Sequence, residues 1–203
     1  MKAVMIHQAS AESSVGGKLA AMALDYMAYP VAGSKEPSVV ERTLQHLWRH
    51  KFNRFSHRYA FEARLDGQTA GMMICMPAEE VDRLTWKVVQ ELLKLNGWSF
   101  VQYSLRNLRE SLALLSIKDA FEGEFHIAAL AALPEARGFG IGTKLLHHAE
   151  ELARSKQFKK TSLSVRSEND QAVKLYERMG YRVVQVIKKK PYHLFRMVKP
   201  LPL

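Results

Sequence analysis

Residues 125 to 146, FHIAALAALPEARGFGIGTKLL, place an apolar run, a proline, an arginine, three alternating glycines and an amphipathic segment in immediate succession. Phe125 to Leu133 is apolar enough to be a strand buried on both faces, and Pro134 ends it because proline cannot donate to a sheet ladder. Further on, Ile141, Leu145, Leu146, Ala149, Leu152 and Ala153 recur at helical spacing, with Lys144, Glu150 and Glu151 expected on the opposite side. Arg137 to Gly142 is therefore a turn that enters a helix. A helix start offers unpaired N–H groups and the positive end of the macrodipole, and glycine lets a ligand approach the backbone. The fitting guest is a phosphate or pyrophosphate, although a glycine-rich strand-to-helix turn can also exist without a ligand.

Spacing separates the phosphate-binding motifs. A P-loop requires Gly-Lys followed by Ser or Thr, but Gly142 is followed by Thr143 and then Lys144. A dinucleotide fingerprint begun at Gly138 requires glycine at 143, which is threonine. What remains is Arg137-x-x-Gly140-x-Gly142, which resembles the acetyl-coenzyme A loop of the GNAT superfamily of N-acetyltransferases. Downstream, Ser167 to Tyr181 resembles the Asn…Ala…Leu-Tyr-Glu-x-x-Gly-Phe/Tyr segment that closes the cofactor cleft in that superfamily. Asn169, Ala172 and Tyr176 stand at i, i+3 and i+7 and share one helix face. Packing of Leu175 and Tyr176 beneath the sheet is the alternative role for that face.

The resemblance implies an α/β fold: a mixed central sheet of about six to seven strands flanked by helices. It implies acetyl-coenzyme A as co-substrate, no metal, and a cofactor site formed by Leu130, Ala131, Ala132, Arg137, Gly138, Phe139, Gly140, Ile141, Gly142, Thr143, Asn169, Ala172 and Tyr176. Acetyl transfer to an amine needs donors for the carbonyl oxygen, an acid for the departing thiolate and a base for the amine. The resemblance gives the first to backbone N–H groups of Leu130, Ala131 and Ala132, and the second to Tyr176. For the base, His126 lies 11 residues before Arg137, where several members carry a glutamate, and Glu124 is expected two residues earlier on the same strand face. A water chain is the third route.

The rest of the sequence fits that frame. Lys2 to His7 reads as a first strand, and Ile6 to Ser10 is loosely similar to the opening of many members. Residues 15 to 28 and 38 to 55 read as helices around a loop with Pro30, Gly33 and Pro37. Asp66-Gly67 joins strands Tyr59 to Leu65 and Gln68 to Met76 in a hairpin. Thr161 to Val165 reads as a strand, and Tyr181 to Val186 and Tyr192 to Val198 as a closing antiparallel pair. Residues 77 to 123 form a helical insertion with one stripe of Val81, Leu84, Val88 and Leu92, a break at Asn96-Gly97, and another of Val101, Leu105, Leu108, Leu112 and Leu115. It is expected to wall the acceptor pocket, make a dimer contact or enlarge the core.

At 203 residues, 1–203 is expected to be a single acetyltransferase-like domain, monomeric or homodimeric. Cys75, the one cysteine, sits in an apolar run and points to a buried small hydrophobe in a reducing compartment. With no stretch of about 18 apolar residues and no secretory pattern at the N-terminus, the expected location is cytoplasmic, without a membrane. The net charge of +10 divides into +3 over residues 1 to 76, −3 over 77 to 136 and +10 over 137 to 203. The basic C-terminal part suits the polyanionic coenzyme, while Lys159, Lys160 and Lys188 to Lys190 lack the interleaved aromatics of a nucleic-acid platform. The acidic middle favours a cationic acceptor: a small amine, an amino-acid-like metabolite, an aminoglycoside or a peptide amine. A catalytically silent acyl-coenzyme A-binding module is the alternative function. His46 and His50 are spaced to hold zinc, but their neighbours are basic and the sequence supplies no evident third ligand. The nine methionines suit core filling.

Overall fold

A computed structural model of the chain describes residues 3–202, so Lys2, the expected start of the first strand, lies outside the described residues. Seven strands form one sheet: β1 (Val4–Gln8), β2 (Ala60–Leu65), β3 (Gln68–Pro77), β4 (Phe125–Ala132), β5 (Lys160–Arg166), β6 (Arg182–Lys189) and β7 (Tyr192–Pro200). Their order is β1-β2-β3-β4-β5-β7-β6. Every neighbouring pair is antiparallel except β4 with β5, which is parallel. The sheet is mixed, as expected, and the parallel pair requires a crossover. That crossover is α6 (Ile141–Ser155), whose Leu145, Leu146, Ala149 and Ala153 are fully buried.

The helices before the hairpin are shorter than their pattern suggests. The first, α1 (Gly16–Leu24), stops because Asp25 adopts φ 53°, and a 3-10 turn at Asp25–Met27 leads into α2 (Ala28–Ala32). Pro30, expected in a loop, lies in the first turn of α2, where no intrahelical N–H is required. The next, α3 (Pro37–Arg49), ends short of residue 55 because Asn53 Nδ2 donates to the carbonyls of Leu47 and His50 at 2.8 and 3.1 Å. These bonds take up helix-end acceptors and turn the chain.

The insertion comprises α4 (Ala78–Arg106), broken at Gly97 with φ 46° and ψ −123°, and α5 (Leu108–Leu115). Its first stripe, Val81, Leu84, Val88 and Leu92, is buried in the core. The second stripe does not enlarge the core: Leu105, Leu108, Leu112 and Leu115 are 62, 50, 56 and 56 % exposed. Glu150 is a further correction. Expected on the outer face of α6, it is 2 % exposed because Lys199 Nζ of β7 donates to both its carboxylate oxygens at 2.7 Å. The last helix, α7 (Asp170–Arg178), follows β5 and precedes the β6–β7 hairpin.

Because α6 starts at the glycine turn and seats its apolar face on the sheet, that face fixes where the turn points. Leu145→Ala is expected to lower unfolding stability by about 3 kcal/mol, the range for a fully buried leucine, in urea denaturation with an unchanged m-value.

Candidate active site

The site begins where β4 leaves β5. Their parallel register runs Phe125 with Thr161, His126 with Ser162 and Ile127 with Leu163, and then stops, although β5 continues to Arg166 along β7. On the other side β4 keeps pairing with β3 as far as Ala132, skipping Ala128 in a bulge between Ile127 and Ala129. A bulge increases local twist and re-aims the strand, so a gap opens between β4 and β5. The N–H of Leu133 donates to the Ala70 carbonyl on β3 at 2.8 Å. Since backbone groups alternate along an antiparallel strand, Ala131 N–H also faces β3, leaving Leu130 and Ala132 N–H at the open edge. Of the three expected carbonyl donors, Leu130 and Ala132 therefore present N–H groups to the gap and Ala131 does not.

Beyond β4, Pro134–Ala136 makes one 3-10 turn, and Gly138 and Gly140 take φ of 85° and 72°. These left-handed values suit glycine and let the chain reverse into α6. The first intrahelical bond at this end runs from Lys144 N–H to the Gly140 carbonyl, so Ile141, Gly142 and Thr143 N–H groups form the free helix start. An anion would meet these groups, the helix dipole and the exposed Arg137.

The opposite wall is α7. Asn169 stands at its N-cap, and its side-chain oxygen accepts from Ala172 N–H at 3.1 Å. The oxygen end of the Asn169 amide is thus engaged in capping the helix. Burial pushes the Tyr176 phenol up to about 12, so it keeps its proton at neutral pH. Its ring lies edge-on to Tyr181, with centroids 6.1 Å apart.

A cavity of about 880 Å³ joins these parts. It is lined by Leu130, Ala131, Ala132, Arg137, Gly138, Gly140, Ile141, Gly142, Thr143, Asn169, Ala172 and Tyr176; Phe139 turns outward and is not part of the wall. The remaining wall comes from the α1–α2 region and from the insertion, including Val88, Leu92, Phe100, Leu108, Leu112 and Leu115. The negative charge of the middle segment lies mostly elsewhere: of its nine acids, Asp82 and Asp119 line the cavity.

The two candidate bases stand behind this wall. Glu124 directly precedes β4, and Arg196 of β7 donates to both its carboxylate oxygens in a buried pair. Lys160 Nζ lies 3.6 Å away, and Phe121 N–H donates to Oε2 at 3.2 Å. Burial alone would raise the Glu124 pKa, but hydrogen bonds from Arg196 and Ser162 and the arginine charge hold it below the usual carboxylate range. His126 is buried, with Nδ1 sharing a 3.1 Å hydrogen bond with Ser162 Oγ and Nε2 3.5 Å from Asp119 Oδ2. Asp119 links this histidine to the cavity. Burial opposes its ionisation, yet His126 and Arg54 hold its carboxyl well below the usual range. Asp119 lies in an aperiodic stretch before β4, so spacing gives no sign of it; only the tertiary contact with His126 does.

Elsewhere, Cys75 is buried and its thiol is pushed up to about 12, in keeping with an unreactive core residue. The structure supplies the third group that the sequence lacks beside His46 and His50: Glu91 of α4, with all three donor atoms within 4.8 Å of one another. Glu91 also accepts from Lys94 Nζ at 2.9 Å.

A mixed sheet that parts beside a helix start entered through two left-handed glycines gives the chain its α/β class. The Acetyltransferase (GNAT) family profile matches residues 20–181, and the chain belongs to this family. It is 35% identical over 79 residues to the peptidyl-lysine N-acetyltransferase YjaB of Salmonella typhimurium, covering 37% of this chain and 51% of that protein. The chain thus spans about half the length of this curated relative. An acetyltransferase crystal structure superposes with a TM-score of 0.71 at 20% identity, covering 98% of this chain and 100% of that one. An N-acetyltransferase from Staphylococcus aureus Mu50 gives 0.69 at 22% identity, covering 96 and 99%. The PaiA N-acetyltransferase of Thermoplasma acidophilum in complex with coenzyme A gives 0.55 at 15% identity, covering 98 and 99%. No helix among the described residues is long and apolar enough to cross a membrane.

The carboxyls of Asp119 and Glu124 titrate lower in the folded chain than in the unfolded one. Their contribution to stability is present above the unfolded carboxylate range, near pH 4, and is lost as pH falls through the lower folded values. Thermal midpoints measured from pH 6 to pH 2.5 should fall steeply below about pH 4. Glu124→Gln should lower the midpoint at pH 6 and flatten that fall.

Proposed function

We propose that the chain, acting as a single unit in a reducing cytoplasm, moves the acetyl group of acetyl-coenzyme A directly to the primary amine of a cationic acceptor. The observation that carries this reading is the gap between β4 and β5, where two N–H donors, a helix start and a protonated tyrosine line one cavity. The curated relative named as a peptidyl-lysine N-acetyltransferase and the fold neighbour holding coenzyme A support both the donor and the amine class.

In this reading the helix start, with Arg137, takes the pyrophosphate, and the pantetheine arm runs between β4 and α7. The amine nitrogen forms a bond to the thioester carbonyl carbon, and Leu130 and Ala132 N–H groups receive the negative charge on the carbonyl oxygen. The C–S bond then breaks, and the Tyr176 hydroxyl donates to the sulfur. A phenol held near 12 is a weaker acid than a thiol, so its main service is a hydrogen bond that strengthens as charge reaches the sulfur. The amine proton leaves through water towards His126, which Asp119 links to the cavity, since both oxygens of Glu124 are engaged by Arg196.

The direct experiment follows release of free coenzyme A from acetyl-coenzyme A with a panel of amines. Tyr176→Phe is expected to lower kcat on the order of 100-fold while the KM for acetyl-coenzyme A changes less than about threefold. Full rate in this variant would remove Tyr176 from the acid role. A chain that is stabilised by coenzyme A yet releases none with any amine would be a silent binder.

A further inference from the structure

The leucines that fail to join the core are not scattered. Leu108, Leu112 and Leu115 stand at i, i+4 and i+7 on α5, half in solvent, and line the same cavity as Gly140 and Tyr176. Phe100 and the edge of the buried Val88–Leu92 stripe face that cavity too. Ligand pockets of about 300–1,000 Å³ are typically apolar, with a few placed polar groups, and this one is large enough for a second guest beside a pantetheine arm.

The polar groups are distributed unevenly. Asp25 is paired with Arg166, and Arg54 Nη1 donates to Thr85 Oγ1 at 3.2 Å. Asp119 stands at the root of the gap, because its partner His126 occupies the rung before Ile127–Leu163, the last at which β4 and β5 are joined. An ammonium at Asp119 therefore lies beside the point where the strands part. A polycation would have to run along a wall that also carries Arg54, Lys118, Arg166 and Arg178. An apolar body would instead cover the leucines.

We propose that the acceptor is a primary amine joined to an extended apolar body, an alkyl or arylalkyl amine, with its nitrogen at Asp119 and its body along Leu108, Leu112 and Leu115. This rests on the acetyl-transfer reading given above, and the test separates the two.

The full chain saturated with coenzyme A is titrated calorimetrically with butylamine, hexylamine, octylamine and 2-phenylethylamine, and with spermidine and a lysine-containing peptide. The same amines enter the thiol-release assay with acetyl-coenzyme A. Affinity is expected to rise about fourfold per methylene from butylamine to octylamine, with a negative heat-capacity change. Octylamine should exceed spermidine and the peptide at least tenfold in kcat/KM. Asp119→Asn should raise the octylamine KM at least tenfold with little change in that for acetyl-coenzyme A, and Leu112→Ser should flatten the dependence on chain length. Preference for spermidine or the peptide, or affinity independent of amine length, overturns the proposal and leaves acetyl transfer standing. Faster use of hexanoyl- than acetyl-coenzyme A, with no effect of amine length, gives the cavity to the donor and also overturns it. So does a Leu112→Ser variant that changes only the sedimentation mass, since a second copy would then cover the leucines. If no amine is acetylated, the transfer reading falls, and calorimetry still decides what the cavity binds.

Discussion

The parting of two parallel strands after three rungs is the constraint on which the rest of the molecule depends. Parallel neighbours end at the same side of a sheet, so the loop after β4 and the helix after β5 emerge together. One brings the glycine turn and the start of α6; the other brings Asn169 and Tyr176. Had the ladder continued to Arg166, the N–H groups of Leu130 and Ala132 would be spent on β5 and the two helices would have nothing between them. The bulge at Ala128, held on its other side by β3, keeps the strands apart.

Buried charge holds this arrangement at its closed end. Arg196 and Lys199 both come from β7, yet Arg196 pairs with Glu124 at the entrance to β4, while Lys199 pairs with Glu150 on α6. One strand thereby ties down both the start of β4 and the helix that follows it. Removing one partner of such a buried pair typically costs about 3–5 kcal/mol, because the other charge is left without compensation. Tyr181 adds a neutral tie, since Thr161 Oγ1 donates to its hydroxyl at 2.9 Å while its ring meets Tyr176.

Local chemistry made β4, the glycine turn and α6 readable. Glycine spacing, a proline stop and a helical stripe each carry their meaning within a few residues, and Asp66-Gly67 fixed the hairpin in the same way. The features that escaped depend on distant partners. Glu150 looks like a surface residue until Lys199, 49 positions away, is brought beneath it. Nothing near Glu124 announces Arg196, and Asp119 gains its importance only when His126 folds against it. His46 and His50 find Glu91 through the packing of α4 on α3. The leucine stripe of α5 was visible as a period, but a period cannot say whether its face meets protein or a cavity.

Gly97 carries a last consequence. Before it, α4 is rooted by Val81, Leu84, Val88 and Leu92; after it, the chain changes direction, and α5 contributes no buried residue to the core. The glycine turn, α6 and α7 all follow β4, whereas residues 98–115 lie beyond the Gly97 break and are tied to the rest by Phe100 against the core and by Glu110, whose carboxylate accepts from the Tyr192 hydroxyl at 3.4 Å. Such a segment resembles an exchangeable jaw on a fixed handle. Its sequence could be rewritten over evolution, reshaping the cavity wall it forms, while the glycine turn and its two helices stayed as they are.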